Sequence, residues 1–445
     1  MKKEILLLVA LFIGFTAQAV STGAATPKYT FDRATGALTL NWGEFNSWDP
    51  WGNDVTNTEV KSVTATSQVS FTGDCSQLFY NFSQCESMDL SLVNTSGMTN
   101  ARRMFRDCSS LTSLDLSGWN TAGVTDMFEM FCYCESLTSL NLSGWNTANV
   151  IDMGLMFKFC LSLTSLDLSS FNTGNVTDMY YMFSNCENLT SLDLSGFNTA
   201  NVTSMTQMFY DCRGLTHLNL SGWNTGKVMT MGGMFSGCSS LTSLDLSDFN
   251  TAEVIAMNYM FSGCTNLTSL DLSAWNTASL EDTQYMFSGC TDLTSIDISG
   301  WNTANVWYMN DMFANCTSLT TIYAGTGWTT HYVFGNWSKG MFTNCISLVG
   351  GMGTVYDENH TDKAYARIDG GPASPGYFTE KGATLRGDVD GDETISINDV
   401  TSLIDYLLSG EASSINLEAA DCDLDDNISI NDVTALIDYL LKNNW

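Results

Sequence analysis

The sequence predicts two fold classes in series: an α/β solenoid, with a parallel sheet on one face and helical turns on the return, followed by a small all-α module built on acidic loops. Three observations predict it. Cys108, Cys134, Cys160, Cys186, Cys212, Cys238, Cys264, Cys290 and Cys316 are each 26 residues apart. The apolar positions between them recur from copy to copy. Beyond the "GGPASPG" stretch, two near-duplicate acidic segments start at Asp388 and Asp421, 33 residues apart, and each runs into an apolar pattern of helical period.

Taken in chain order, "MKKEILLLVALFIGFTAQA" has two lysines, an apolar run and a small-residue end, which predicts a cleavable export signal over residues 1–19. No second run approaches the ~20 apolar residues of a membrane span, so no membrane insertion is expected after cleavage. At 445 residues the chain has room for two or three domains. Its 17 Lys and Arg against 48 Asp and Glu give a net charge of -31, which argues against nucleic acid as a partner and leaves cations and basic surfaces.

Residues 20–84 are expected to cap the front of the solenoid. In them "YTFDRATGALTLNW" reads as a hairpin turning at Ala34-Thr35-Gly36, and "VKSVTATSQVSF" reads as strand-rich. The repeats occupy residues 85–350. Cys85 and Cys345 extend the series at spacings of 23 and 29. In the copy after Cys186, "LTSLDLS" alternates with Leu192 and Leu194 inward, as a short strand does. Its "GFNT" makes a corner, where Gly196 permits an unusual backbone angle and Asn198 bonds local backbone. Val202, Met205, Met208, Phe209 and Cys212 then follow at steps of 3, 3, 1 and 3, which suits a helical return with one buried face. Such a unit cannot bury its apolar face alone, but roughly ten copies stacked at ~4.8 Å share a core about 50 Å long. No proline interrupts the array between Trp51 and Gly371.

These residues resemble the BspA-like leucine-rich-repeat surface proteins, in the subtype written "NVTDMxxMFxxCxxLTSLDLSxWNT". Spacing and identities agree in eight consecutive copies, from Leu114-Asp115-Leu116 to Ile296-Asp297-Ile298. The resemblance implies a leucine-rich-repeat-type solenoid and a role in surface display or adhesion. It names no ligand, and a host protein or a glycan both stay open.

Repetition turns single residues into ladders. The cysteines are read as buried thiols in preference to a disulfide framework, because each takes the same small apolar place in its coil. The corner ladder of Trp119, Trp145, Phe171, Phe197 and Trp223 is core packing or a partly exposed ligand shelf. The outward row is the candidate ligand face, with Asp115, Asp167, Asp193, Asp245, Asp271 and Asp297 interleaved by Asn141 and Asn219. Carboxylates one strand apart repel by about 1 kcal/mol even in water. Flanking hydroxyls, a bound cation or a basic partner would offset that repulsion. Retaining glycosidases use a similar carboxylate spacing, but there the two groups sit in unlike environments. Here every Asp has the same Ser-Leu-Asp-Leu-Ser surroundings, and His217, His331 and His360 form no metal or triad spacing, so no catalytic residue is assigned.

Residues 351–383 break the period and are read as a closing cap and linker, and residues 384–445 form the tail. Its first loop offers oxygen ligands at positions 1, 3, 5, 7, 9 and 12 in Asp388, Asp390, Asp392, Thr394 (through its carbonyl), Ser396 and Asp399. The second offers Asp421, Asp423, Asp425, Asn427, Ser429 and Asp432. This is the spacing of a seven-coordinate Ca2+ loop, so two calcium ions are expected. Val400, Leu403, Ile404, Leu407 and Leu408 should share one helix face, packed on the equivalent Val433, Leu436, Ile437, Leu440 and Leu441. A loop with only an exiting helix, occurring twice, resembles a type I dockerin. That resemblance implies a cohesin partner on a scaffold protein and partner recognition by Ile397-Asn398 and Ile430-Asn431, the same pair in both copies. Glu393 and Asp426 depart from it, standing where glycine makes the sharp turn.

The expected function is therefore an exported, non-catalytic surface or adhesion protein held to a scaffold by a calcium-dependent dockerin. The alternative is a polysaccharide-degrading enzyme or a carbohydrate-binding component of a cellulosome-like complex.

Overall fold

The computed structural model describes residues 27–46, 51, 55–381, 385–392, 394–412, 415–425 and 427–442. The expected export signal and the turn residues Glu393 and Asp426 lie outside these.

One coil of about 26 residues repeats along the array. On one face, three-residue strands stack in parallel without register slip: Leu192 lies beside Leu218 and Asp193 beside Asn219, and Leu270, Ile296 and Ile322 continue the same inward row. The alternation predicted for "SLD" is met, with Leu192 buried between exposed Ser191 and Asp193. The front segment joins the same ladder. Tyr29–Asp32 and Ala37–Leu40 form the antiparallel hairpin expected around Gly36, which takes a φ of 74°. Ala37–Leu40 then pairs in parallel with Ser62–Ala65, and that strand with Ser87–Asp89. The far end closes on Phe378–Glu380, which pairs in parallel with Thr321–Ala324.

The return leg is built of stacked turns, and no α-helix occurs among the described residues of the solenoid. The hydrogen bonds show why. The N–H groups of Gln207, Phe209 and Asp211 reach across to Gly232, Met234 and Ser236 of the next coil at 2.9, 2.9 and 2.7 Å. Those of Met208, Tyr210 and Cys212 turn back three residues to Met205, Gln207 and Phe209. Alternate donors are thus committed to the neighbouring coil, and none is left to form the i to i−4 bonds of a helix. Closing these turns puts Gln207 and Asp211 at φ of 52° and 55°, the left-handed third position of a tight turn. Gly237, Gly263 and Gly289 take the same place in three later coils. At the corner, Asn198 Oδ1 accepts the Ala200 N–H at 3.1 Å as expected, whereas Gly196 does not need a left-handed angle.

One apolar core runs through the array, from Leu38 to Phe378. Phe157, Phe183, Phe209 and Phe235 stack with ring centroids 5.6 to 5.7 Å apart. Cys212 is fully buried and its thiol donates to the Phe183 carbonyl at 3.1 Å, a bond that recurs in each coil from Cys108 to Cys345. All 14 cysteines are free and buried, and burial pushes the Cys212 thiol up to about 12. The corner ladder is core: Trp145, Trp223 and Trp301 are buried and donate their indole N–H to Leu116, Leu194 and Leu272 carbonyls at 2.9 to 3.0 Å. It is no ligand shelf. No helix among the described residues is long and apolar enough to cross a membrane.

The tail has its own small core of Val389, Val400, Leu403, Ala420, Cys422, Val433 and Leu436, with helices over Ile397–Ser409, Leu417–Ala420 and Ile430–Lys442. The expected helix faces are only partly covered. Val400, Leu403, Val433 and Leu436 are buried, while Ile404, Leu408, Ile437, Leu440 and Leu441 are exposed. Three short helices and the loops between them hold too little chain to cover both apolar stripes.

Candidate calcium and partner-binding site

Each acidic loop is folded by its own side chains. Asp392 Oδ1 accepts the Thr394 N–H at 2.9 Å and Asp425 Oδ1 that of Asn427 at 2.9 Å, so these carboxylates pin the turn that follows them. The last loop residue of each copy is fully buried. Asp399 accepts the N–H groups of Asp390 and Ser396 at 3.1 and 2.7 Å. Asp432 accepts those of Asp423 and Ser429 at 3.0 and 2.7 Å. Ser396 in turn caps the helix, its hydroxyl oxygen accepting the Asn398 N–H at 3.1 Å. Ser429 does the same for Asn431 at 3.0 Å. The two loops therefore share one construction: a buried aspartate ties the loop entrance to the helix start, and a serine caps the helix.

The result is convergence of charge. Carboxylate oxygens of Asp388, Asp390 and Asp392 lie within 4.8 Å of one another, as do those of Asp421, Asp423 and Asp432. Burial, followed by the charge of Asp399, pushes the Asp390 carboxyl above its ordinary value. Burial and then Asp432 do the same to Asp423. Like charges gathered on a loop whose backbone donors are already used call for a cation, and oxygen-only donors suit a hard one such as calcium. The ligand set predicted for each loop is thus only partly assembled. Asp399 and Asp425 stand outside the two groups, and the Ser396 and Ser429 hydroxyls are engaged as caps. The left-handed turn falls at Gly391 in the first loop and at Leu424 in the second, with φ of 76° and 59°.

At the mouth of each helix, Ile397 and Ile430 are equally exposed at 67%, next to exposed Asn398 and Asn431. Nothing in the fold of the tail needs these apolar side chains in water.

The outward row of the solenoid is held differently. Asp115, Asp167 and Asp193 each accept the N–H of the serine two residues on, at 3.0 Å, and that backbone bond with the serine hydroxyl holds their carboxyls below the usual range. For Asp245 and Asp271 the hydroxyls of Ser247 and Ser273 are the leading cause. Local hydroxyl and amide donors thus offset the repulsion between rungs. Asp297 does not belong to this exposed row. It is buried and paired with Lys381 at 3.0 Å, because the chain after the closing strand crosses the end of the sheet there. His217 lies on the exposed edge of its strand, its ring bonded to Thr216 at 2.9 Å. One buried ion cluster gave no sequence signal: Glu129 is held by Arg103, at 2.8 Å, and by Arg106. Its partners lie 26 and 23 residues away, one coil apart.

Fold and site together define a leucine-rich-repeat-type solenoid carrying a dockerin. Residues 45–164, 73–190, 140–243 and 237–352 match the family described as "Mycoplasma protein of unknown function, DUF285", the BspA-like repeat, and the chain belongs to that family. Residues 386–441 match the type I dockerin domain, a module that binds calcium and a cohesin partner. Among solved structures it is similar to a leucine-rich repeat protein from Eubacterium ventriosum, at 15% identity over 66% of this chain and 87% of that one, with a TM-score of 0.30. A leucine-rich repeat protein from Bacteroides ovatus is 18% identical over 74% and 94%, with a TM-score of 0.28. A leucine-rich cell surface protein from Faecalibacterium prausnitzii is 16% identical over 70% and 97%, again with a TM-score of 0.28. No curated protein matches the chain.

Proposed function

We propose that this is an exported, non-catalytic adhesion or display protein, its repeats meeting a ligand and its tail plugging into a cohesin on a scaffold at the cell surface. The domain plan is the export signal at residues 1–19, a front cap to 84, repeats to 350, a closing cap and linker to 383, and the dockerin to 445. The observation that carries this reading is the doubled loop, in which a ring of carboxylates and an exposed Ile-Asn pair occur twice in one construction. Calcium, when bound, supplies the positive charge that cancels the crowded carboxylates, and its binding energy becomes folding energy of the tail. Ile397-Asn398 and Ile430-Asn431 are the partner-facing pairs, and their equivalence supports docking in either of two orientations. Leu408 and Leu441, near the other ends of the two helices, are also exposed.

Non-catalytic repeats are supported by the outward row, where Asp115, Asp167, Asp193, Asp245 and Asp271 are all shifted the same way. An acid–base pair needs one carboxyl held protonated. The enzyme alternative is tested by Asp193→Ala: abolition of glycan cleavage by that one change would establish it, whereas a binding row loses a little at each rung. The main test is capture of the full chain on an immobilised type I cohesin panel, with calcium and with excess chelator. Capture with calcium and release by chelator is the expected result, and retention in chelator overturns the proposal.

A further inference from the structure

The segment that breaks the period, "WTTHYVFGNW", together with Trp307 of the last full repeat, carries four exposed aromatic rings. Trp307 is 48% exposed, Tyr332 44%, Phe334 56% and Trp337 48%. By contrast the corner tryptophans of the repeats are nearly inaccessible. The rings of Trp307 and Tyr332 lie 6.1 Å apart with planes within 20°, and Phe334 follows 6.4 Å from Tyr332. Trp337 sets its ring edge-on at 4.7 Å to Tyr308, the neighbour of Trp307 in the chain.

The backbone beneath is fixed. Val333 is fully buried between exposed Tyr332 and Phe334, and its carbonyl accepts from Lys363 Nζ. The Trp337 N–H bonds the Phe334 carbonyl at 3.2 Å, and the Trp337 carbonyl accepts the Met309 N–H at 2.8 Å. Two polar observations go with the rings. The buried tryptophans give their indole N–H to a carbonyl, but among the described residues no acceptor takes that of Trp307 or Trp337. Asn310 gives its side-chain N–H to the Asn336 carbonyl, leaving its buried Oδ1 with no donor.

We propose that this cluster is a carbohydrate-binding site for a neutral, extended glycan. A pyranose presents an apolar C–H face beside hydroxyls that both accept and donate, and the cluster offers apolar ring surface and two open indole donors. Aromatic side chains bring this contact area at low conformational cost, on a backbone already ordered. The net charge of -31 argues against an acidic glycan. The proposal deepens the reading of the repeats as a ligand-binding array by naming one ligand class and its site, and it does not use the dockerin.

The test is calorimetric titration of the full chain with cellohexaose, xylohexaose and mannohexaose, beside Trp307→Ala, Trp337→Ala and a control at another exposed apolar position, Met229→Ala. Thermal unfolding of each variant and cohesin capture are measured in parallel. At least one hexasaccharide should bind, each tryptophan variant should weaken it tenfold or more with unchanged unfolding, and Met229→Ala and cohesin capture should be unaffected. No binding of any hexasaccharide by the parent chain overturns the proposal. Equal binding by the tryptophan variants also overturns it, as does self-association of the parent chain that these substitutions abolish. Loss of cohesin capture with sugar binding intact would instead count against the anchoring role alone.

Discussion

Replacing Asp399 with alanine should unfold the tail even when calcium is saturating. Asp399 is fully buried, and each of its oxygens accepts a backbone N–H, from Asp390 and from Ser396. Hydrogen bonds to a charged group contribute about 1.5–3 kcal/mol each, so the pair is worth about 3–6 kcal/mol. A module with so small a core rarely holds more than about 3–5 kcal/mol. Calcium at a thousand times its dissociation constant returns only about 4 kcal/mol, and only if a competent site survives the change. Asp392 makes the useful contrast, because it is exposed and its one backbone bond, to Thr394, lies on the surface. Asp392→Ala should therefore fold at higher calcium, shifting the midpoint without removing the transition. Hydrogen exchange across Ile397–Ser409 in the full chain, titrated with calcium, reads both variants. Wild-type protection of that helix in Asp399→Ala would refute the reasoning, because the tie between loop entrance and helix start would then be dispensable.

Three further outcomes follow from the same geometry. Trp223→Phe should cost about 1 kcal/mol, the net value of the lost bond to the Leu194 carbonyl, because Phe171, Phe197 and Phe249 already occupy equivalent rungs. Trp223→Ala should cost about 3–5 kcal/mol, and denaturant unfolding separates the two. The outward row and the chelated tail should respond oppositely to acid, while within the solenoid Asp152, Asp178 and Asp282, raised by burial, oppose the outward row. The lowered carboxyls of Asp115, Asp167 and Asp271 add stability above the ordinary carboxylate range that is lost as pH falls through their depressed values. Without calcium the raised Asp390 and Asp423 make the tail less stable as pH rises through their elevated values, so the chelated tail should be firmer in mild acid than at neutral pH, as read by exchange over Ile430–Lys442. Finally, a thiol reagent should label none of the 14 cysteines in the native chain and all of them in denaturant without reductant. Native labelling would contradict the buried ladder, and absent labelling in denaturant would mean disulfides.

The strand and the corner were legible in the sequence because the alternation of "SLDLS" and the Asn-Thr corner are local patterns, though the segments around Leu166 and Leu244 form no strand. The return was not. A turn closed every four residues places Met205, Met208, Phe209 and Cys212 inward at the same steps as a helix, so apolar spacing cannot separate the two. What decides is whether alternate N–H groups find the next coil, and that depends on the stack as a whole. The acidic loops were legible because their carboxylates are local and the spacing occurs twice. The capping use of Ser396 and the burial of Asp399 were not, because a carboxylate that ties a loop and one that holds a metal look alike in sequence. The pairing of Asp297 depends on Lys381, far along the chain, and no pattern within the repeat announces it.

The repeat also sets where recognition can arise. Identical rungs give identical environments, and the exposed carboxylates of the outward row are all shifted in the same direction. A row of that kind binds by summing many weak contacts and cannot separate one residue from its neighbours. Distinct chemistry needs a departure from the period, and the chain has two. In the tail, two copies of a calcium loop face outward with one Ile-Asn pair each. At the end of the array, Trp307, Tyr332, Phe334 and Trp337 are turned to solvent, and among the described residues the two tryptophans keep their indole donors open. Both departures fall at the same end of the array, with residues 338–383 between them in the chain.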